Sequence, residues 1–417
     1  MSAPYYSIFE FFLNPAIYER RAKVKAEFFG ANVMVRLGRS LKSLFGNWWR
    51  ILRERPDFDA TLTGARWVVV GTRNQENSTS FLLSDDRYRL VGANFYTSAG
   101  QPAAVDWYPQ PKLFYLGRYL SFFWRAYRTN PVHFSRVFQE LLHGVGAYEN
   151  HRKVLRRYRP ELIIVSNDHL PWYRALVLAA RAEGIRTAYL QHAPVVDDFP
   201  SLISDLSLLD GQDALDKYRA GGKAVYGKTV LVGMPKFDPY FPRISATTRL
   251  THLGVPYGFF DEVADIARTV AALRKAFPEL VITVRKHPRD ERPFPAEEIP
   301  GVQFSDARAQ SPLEYLLDQD IIIAGDTGIH LEAVLMNVTS LYYQFTGAGE
   351  SPVDHYGFIR NGLVPTVLSL EELIGRLREL MVHRPVVRGE AEYFVAHLTG
   401  EWAGRSGALV LGVLEDG

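Results

Sequence analysis

The chain has 417 residues, too many for one ordinary core, and Lys plus Arg total 48 against 46 for Asp plus Glu, so net charge gives no argument for a nucleic-acid partner. Hydrophobic residues make up 47% and charged ones 23%, a globular rather than disordered balance. Cysteine is absent, which excludes disulfides, thiolate metal sites and a cysteine nucleophile and suits a cytoplasmic protein.

In chain order, residues 1–60 read as helical and aromatic, with neither a signal-peptide core nor a cleavage site. Met34, Leu37, Leu41, Leu44, Phe45, Trp48, Ile51 and Leu52 recur at helical spacing, while Arg36, Arg39, Lys42, Arg50 and Arg53 fall largely elsewhere around the axis. Such a stripe is expected to pack on the domain behind it; the alternative is a basic amphipathic helix lying on an anionic membrane. Strands are predicted at 67–70, 81–83 and 88–91. Residues 113–128, rich in aromatics and Arg, are expected to form a buried helix with Arg at its edges, the alternative being a face toward a lipid-linked acceptor. Strands at 162–165 and 186–190 flank a helix at 171–183 that Gly184 ends, and strands at 206–209 and 229–232 flank a helix at 213–219. The turn 233–235 leads into Lys236-Phe237-Asp238-Pro239, which reads as a linker. Beyond it a helix at 261–277 is followed by strands at 280–285, 302–304, 321–324 and 339–345 and helices at 312–318, 328–336 and 370–381. No apolar run approaches the roughly 18–20 residues of a membrane span, so a soluble or peripheral protein is expected.

Strands that alternate with helices predict parallel sheets joined by right-handed crossovers. The expected division is an N-terminal helical segment at 1–60, Rossmann-like domains at 61–235 and 236–388, and a final segment at 389–417 that packs back on the first domain.

Ligands of open α/β sheets sit where strand C-termini end in polar loops. The most informative stretch is Ile321-Ile322-Ile323-Ala324-Gly325-Asp326-Thr327-Gly328, a buried strand running into a small polar turn, with Glu332 in the helix that opens there. Turn amides, the Thr327 hydroxyl and Gly328 favour a bound anion, and Glu332 stands five residues on, in reach of a ribose beside it. Lys286-His287-Pro288 closes another strand at the same edge. In the first half, Ser166-Asn167-Asp168-His169 and Leu190-Gln191-His192-Ala193 each follow a strand, with Asp197-Asp198-Phe199 behind the second.

The order of these elements, with Gly233-Met234-Pro235-Lys236-Phe237-Asp238 between the halves, resembles bacterial surface-polysaccharide glycosyltransferases of the GT-B fold over roughly residues 160–345. Relatives of that type include capsule and lipopolysaccharide Kdo- or sialyltransferases and CDP-glycerol glycerophosphotransferases. Many of them carry Gln-His-Gly where this chain has Gln191-His192-Ala193, and two serines where it has Asp326-Thr327.

The resemblance implies two Rossmann-like domains facing across a cleft and a nucleotide-sugar donor, expected to be CMP-linked as in CMP-Kdo. His287, Thr327 and Glu332 would hold that donor, with Lys286, Gly325 and Gly328 beside them. Acceptor binding and catalysis fall to the first-domain loops, where Asp168, His192, Asp197 and Asp198 are the candidates for base or nucleophile. A glycan or lipid-linked glycan acceptor, peripheral contact with the cytoplasmic face of the inner membrane, no metal, and no cofactor beyond the donor complete the expectation. Asp57-Phe58-Asp59 and Asp318-Gln319-Asp320 match a short acidic metal motif by chance spacing. A CDP-glycerol-type phosphotransferase, a sugar-nucleotide 2-epimerase and an inactive binding relative are the alternative readings.

Overall fold

Short apolar runs such as Leu162–Val165 and Ile321–Ala324 are buried along their whole length, the pattern of parallel strands covered on both faces. The computed structural model describes residues 4–16, 33–53, 59–93, 96, 112–244, 248–258, 261–288, 290–295, 299–345 and 354–416. Asp57 lies outside these residues, as do the side chains of Arg36, Leu37, Arg50 and Ile51.

The first half forms β1 (Arg66–Val70), β2 (Tyr88–Gly92), β3 (Leu162–Val165), β4 (Arg186–Leu190), β5 (Leu206–Leu209) and β6 (Lys228–Leu231). The second half forms β7 (His252–Tyr257), β8 (Val281–Lys286), β9 (Gln303–Phe304), β10 (Ile321–Ala324), β11 (Thr339–Tyr343) and β12 (Thr366–Val367). Each half is one six-stranded parallel sheet, ordered β2-β1-β3-β4-β5-β6 and β12-β11-β10-β7-β8-β9. Strand order reverses direction between β1 and β3 in one sheet and between β7 and β10 in the other, and the loops at such switch points open a crevice.

The helices are α1 (Tyr5–Leu13), α2 (Val33–Arg53), α3 (Arg73–Thr79), α4 (Lys112–Thr129), α5 (Pro131–His143), α6 (Ala147–Tyr158), α7 (Pro171–Ala182), α8 (Gln212–Arg219), α9 (Val263–Ala276), α10 (Pro312–Leu317), α11 (Ile329–Leu335), α12 (Leu370–Val382) and α13 (Ser406–Asp416). Alternation along β1 sends Trp67 and Val69 into one core with Leu155, Trp172 and Leu176, and Val68 and Val70 into another with Val410 and Leu414 of α13. A further helical layer packs α1, α4 and α5 on α7 through Phe9, Tyr119, Phe122, Leu141 and Ala175.

Several expectations are corrected. Residues 81–83 are not a strand but part of a 3₁₀ turn, Ser80–Ser84. Sequence patterning misses β7, although it is central to its sheet, because Gly254 and Pro256 are poor strand formers. Both have local reasons. A Cβ at Gly254 would come 2.2 Å from the Tyr315 hydroxyl, so the phenol packed on the strand requires glycine. Pairing of β7 with β10 runs through Leu253 and Gly254, so the N–H that Pro256 lacks lies beyond that ladder. The helix at 112–129 buries Tyr115, Tyr119 and Phe122 but leaves Leu113, Phe114 and Trp124 exposed. The expected burial of the α2 stripe does not occur either: Leu41, Phe45 and Trp48 are exposed. No described helix is long and apolar enough to cross a membrane.

Candidate active site

At the C-terminal edge of the first sheet, β3 runs into a turn organised by Asn167, whose Oδ1 accepts the backbone N–H groups of His169 (3.3 Å) and Leu170 (2.9 Å) before Pro171 opens α7. Asp168 is buried with both carboxylate oxygens engaged: the Tyr218 hydroxyl donates to Oδ2 at 2.5 Å, and His169 Nδ1 lies 3.3 Å from Oδ1. Burial opposes its ionisation, but His169, Tyr218 and Arg174 prevail and hold the carboxyl below its usual range. The His169 ring sits between Phe11 of α1, 4.9 Å away, and Phe199, 4.6 Å away. Asp168 is therefore placed to orient His169 rather than to attack a substrate itself.

After β4, Gln191 ties two loops together. Its Oε1 accepts the Asp210 N–H at 3.0 Å and its Nε2 donates to the Ala193 carbonyl at 3.0 Å. The His192 ring is partly exposed, yet its Nδ1 is enclosed and has no hydrogen-bond partner among the described residues. Burial, together with the charges of His169 and Lys236, pulls its pKa down to about 4, against the pull of Asp168 and a hydrogen bond to the Ser166 backbone. The imidazole is neutral at pH 7, with an enclosed ring nitrogen that no described group engages. That is the state a general base requires.

Sequence reasoning missed Asp210, which ends β5. Burial raises its carboxyl well above the usual range, opposed by nearby Lys236, and its Oδ2 lacks a partner among the described residues. The rule that located the other loops, a polar residue directly after a buried strand, picks out Leu209-Asp210 too.

Asp197 serves differently from what was expected. Its Oδ2 accepts from Arg360 at 2.7 Å, so it bridges the first-sheet half to the segment after β11. Lys223 donates to the carbonyls of Asp197 and Phe199, both at 2.8 Å, and lies in the field of Asp198, which is half-buried beside it.

On the second sheet, Lys286 ends β8 with its side chain exposed, and the half-buried His287 donates its backbone N–H to Tyr257 at 2.9 Å. Gly325 follows β10; a Cβ there would meet Asp261 Oδ1 at 2.7 Å, so the turn closes against the β7 loop only without a side chain. His330, which the sequence motifs do not single out, locks the same turn: Nε2 meets the Gly325 carbonyl at 2.8 Å and Nδ1 meets Ser340 Oγ at 2.6 Å. Thr327 is half-buried, and Gly328 caps α11, a helix of seven residues. Gly328 faces the other half, since a Cβ there would lie 3.8 Å from Pro194. Glu332 does not stand open for a ligand. Its Oε1 accepts at 2.6 Å from Lys236 Nζ, in the segment Pro235–Arg243 that follows the junction between the halves.

Asp326 sits in the same turn, where burial and the charges of Asp354 and Asp261 lift its carboxyl to about 7 despite the N–H donated by His355. The native state then holds a proton that the unfolded chain has released, so stability falls as pH rises from the ordinary carboxylate range to about 7. An anion in the turn meets a neutral acid below that pH and a like charge above it. An anion whose charge does not titrate near neutrality, such as sulfate, is expected to bind there severalfold more weakly at pH 8 than at pH 6, with Asp326→Asn flattening the dependence in calorimetry.

No protein-family profile matches the chain, and no curated protein matches it in sequence. Solved structures do match in fold. The UDP-GlcNAc 2-epimerase from Neisseria meningitidis, bound to UDP-GlcNAc, aligns with a TM-score of 0.52 at 13% identity, covering 85% of this chain and 100% of that one. The UDP-N-acetylglucosamine 2-epimerase from Rickettsia bellii gives 0.50 at 14% identity over 85% and 96%. The glycotransferase of kitacinnamycin gives 0.52 at 12% identity over 84% and 99%. The shared architecture is GT-B-like, two Rossmann-like halves with parallel sheets.

Proposed function

We propose that the chain is a nucleotide-sugar-dependent glycosyltransferase, with the donor held by the second-sheet loops and the acceptor presented by the first. The observation that carries this reading is the opposition of two polar sheet edges, each at a switch point, brought together where Arg360 meets Asp197 and Gly328 approaches Pro194. Lys286, His287 and the 325–328 turn supply cations and donors for the departing phosphate. Lys236 is positioned to hand Glu332 over to a ribose hydroxyl and to move its own charge toward the phosphate. In transfer, the acceptor oxygen bonds to the anomeric carbon as the bond to the phosphate oxygen breaks, and the acceptor proton passes to His192 Nδ1. His287→Ala is expected to weaken nucleotide binding by about 1–3 kcal/mol, the range for a hydrogen bond to a charged group. Unchanged affinity in both His287→Ala and Glu332→Gln, measured by calorimetry, would remove the donor assignment.

A second reading, a sugar-nucleotide 2-epimerase, is favoured by the epimerases among the structural neighbours. The expected CMP-linked donor draws no support from those neighbours, of which the Neisseria enzyme holds UDP-GlcNAc. Thermal shift with CMP, CDP, UDP and UDP-GlcNAc reads the nucleotide preference, because a ligand that binds only the native state raises the midpoint. Incubating the preferred nucleotide sugar alone then separates the two reactions by NMR. Conversion to its 2-epimer without acceptor supports the epimerase, and turnover that requires a glycan acceptor supports the transferase.

A further inference from the structure

Two helices carry an apolar face that the fold leaves uncovered. On α2, Met34, Leu41, Phe45, Trp48 and Leu52 fall within roughly 60° of arc at about 100° per residue. All five are exposed, Phe45 by 62% and Leu52 by 63%. The helix is held from another side, where Ser40 is buried and Leu44 packs into the core shared with α4 and α5. On α4, which contacts α2, Leu113, Leu120, Trp124 and Tyr127 form a second line within a similar arc of roughly 60°. Trp124 is 60% exposed, while Tyr115 and Phe122 on the opposite face, and Tyr119 and Phe123 toward one side, are buried.

Charge accompanies both lines. Lys42 and Arg53 lie roughly 80–100° around α2 from its apolar line, and Arg118, Arg125 and Arg128 roughly 60–140° around α4 from its own; all five are exposed. Neither helix sequence contains an Asp or a Glu. An apolar face of this extent is uncommon on a monomer in water. A protein partner would answer such a charge with carboxylates at fixed points, and an apolar partner would not answer it at all. Trp and Tyr at the margin, apolar side chains between, and cations on two helices that carry no carboxylate match the layered chemistry of a bilayer surface.

We infer that the α2–α4 face docks on an anionic phospholipid bilayer, with Phe45, Trp48 and Trp124 entering the headgroup boundary and the basic side chains resting among lipid phosphates. The inference does not depend on which reaction the cleft performs. Binding is expected to strengthen by about fivefold for each basic residue near the surface and to weaken in salt as the Debye length falls from about 8 Å at physiological ionic strength to about 3 Å at 1 M.

The test is co-sedimentation of the full chain with vesicles of phosphatidylcholine, with and without phosphatidylglycerol. The wild type is expected to pellet with the phosphatidylglycerol vesicles and to be released at 1 M salt. Combined Arg118→Gln, Arg125→Gln and Arg128→Gln is expected to lower the apparent affinity on the order of 100-fold. Phe45→Ser with Trp124→Ser is expected to weaken it even at low salt, where the charges are intact. All five positions are exposed, so circular dichroism and the nucleotide-induced thermal shift should match the wild type and exclude misfolding. The inference is overturned if the protein stays in the supernatant with phosphatidylglycerol vesicles, or if the serine variant pellets like the wild type. It is equally overturned if sedimentation equilibrium finds a dimer that the serine variant dissociates while no vesicle is bound.

Discussion

Replacing Arg174 by Met is expected to cost about 3–5 kcal/mol, because it leaves three backbone carbonyls and the partly exposed Glu10 carboxylate without their donor. The side chain of Arg174 is completely buried. Its guanidinium donates to the Ser7 carbonyl, to the carbonyls of Asp168 and Ser201, both at 2.9 Å, and to Glu10 Oε2 at 2.8 Å. Glu10 in turn accepts from the Ser201 N–H at 2.9 Å and hydroxyl at 2.7 Å. One side chain thus joins α1, the turn after β3 and the loop ahead of β5. Arg174→Lys keeps the charge but not the fork that serves several acceptors, and is expected to recover part of the loss. Adding Glu10→Gln to Arg174→Met should also recover part, by neutralising the carboxylate left behind. Hydrogen exchange is the fitting measurement, since a chain with two sheets does not unfold as one unit. Protection should fall first in residues 5–13 and 166–171. Unchanged protection there in Arg174→Met would show that the network is not what holds α1.

The second large effect belongs to His192. His192→Ala is expected to lower turnover with the true donor and acceptor by about 100- to 10,000-fold, the usual contribution of a positioned base. Nucleotide affinity should stay near the wild type, because the donor loops lie on the other sheet. Asp168→Asn tests a positioning role instead. The amide keeps the shape but gives His169 and Tyr218 a poorer acceptor, so the expected outcome is a smaller loss with a shifted pH profile. Asp197→Asn should change the link to Arg360 and leave the chemical step alone. Normal turnover in His192→Ala would transfer the base assignment to Asp210, a second titratable group at this edge with an enclosed atom.

Much of the architecture is legible in the chain itself. Runs such as Ile321-Ile322-Ile323-Ala324 are too apolar to face water, and their alternation with helical periods leaves a parallel α/β arrangement as the way to cover both faces. Polar residues placed directly after those runs, Asp168, His192, His287 and Thr327, are locatable for the same reason: the strand that precedes each one fixes it at a sheet edge. Residues that break local rules are not legible. Strand β7 carries Gly254 and Pro256, and the reason for the glycine is Tyr315, from a helix well downstream in the chain. Residues 81–83 have strand-like composition but fold as part of a 3₁₀ turn.

What the tertiary structure alone decided is how each polar group is spent. Asp168 and Asp197 look alike in sequence, yet one is sealed by Tyr218 and His169 while the other bridges to Arg360. Glu332 is held by Lys236, almost a hundred residues earlier in the chain, and Asp326 is lifted to about 7 by burial and by carboxylates distant in the chain. The apolar line on α2 is readable as periodicity, but its exposure is not, because a helical stripe has the same spacing whether protein or water lies against it. Local sequence determines which backbone shapes and faces are available. Partnership, protonation and exposure depend on which groups the fold brings within a few ångströms, and that is set by packing between segments far apart in the chain.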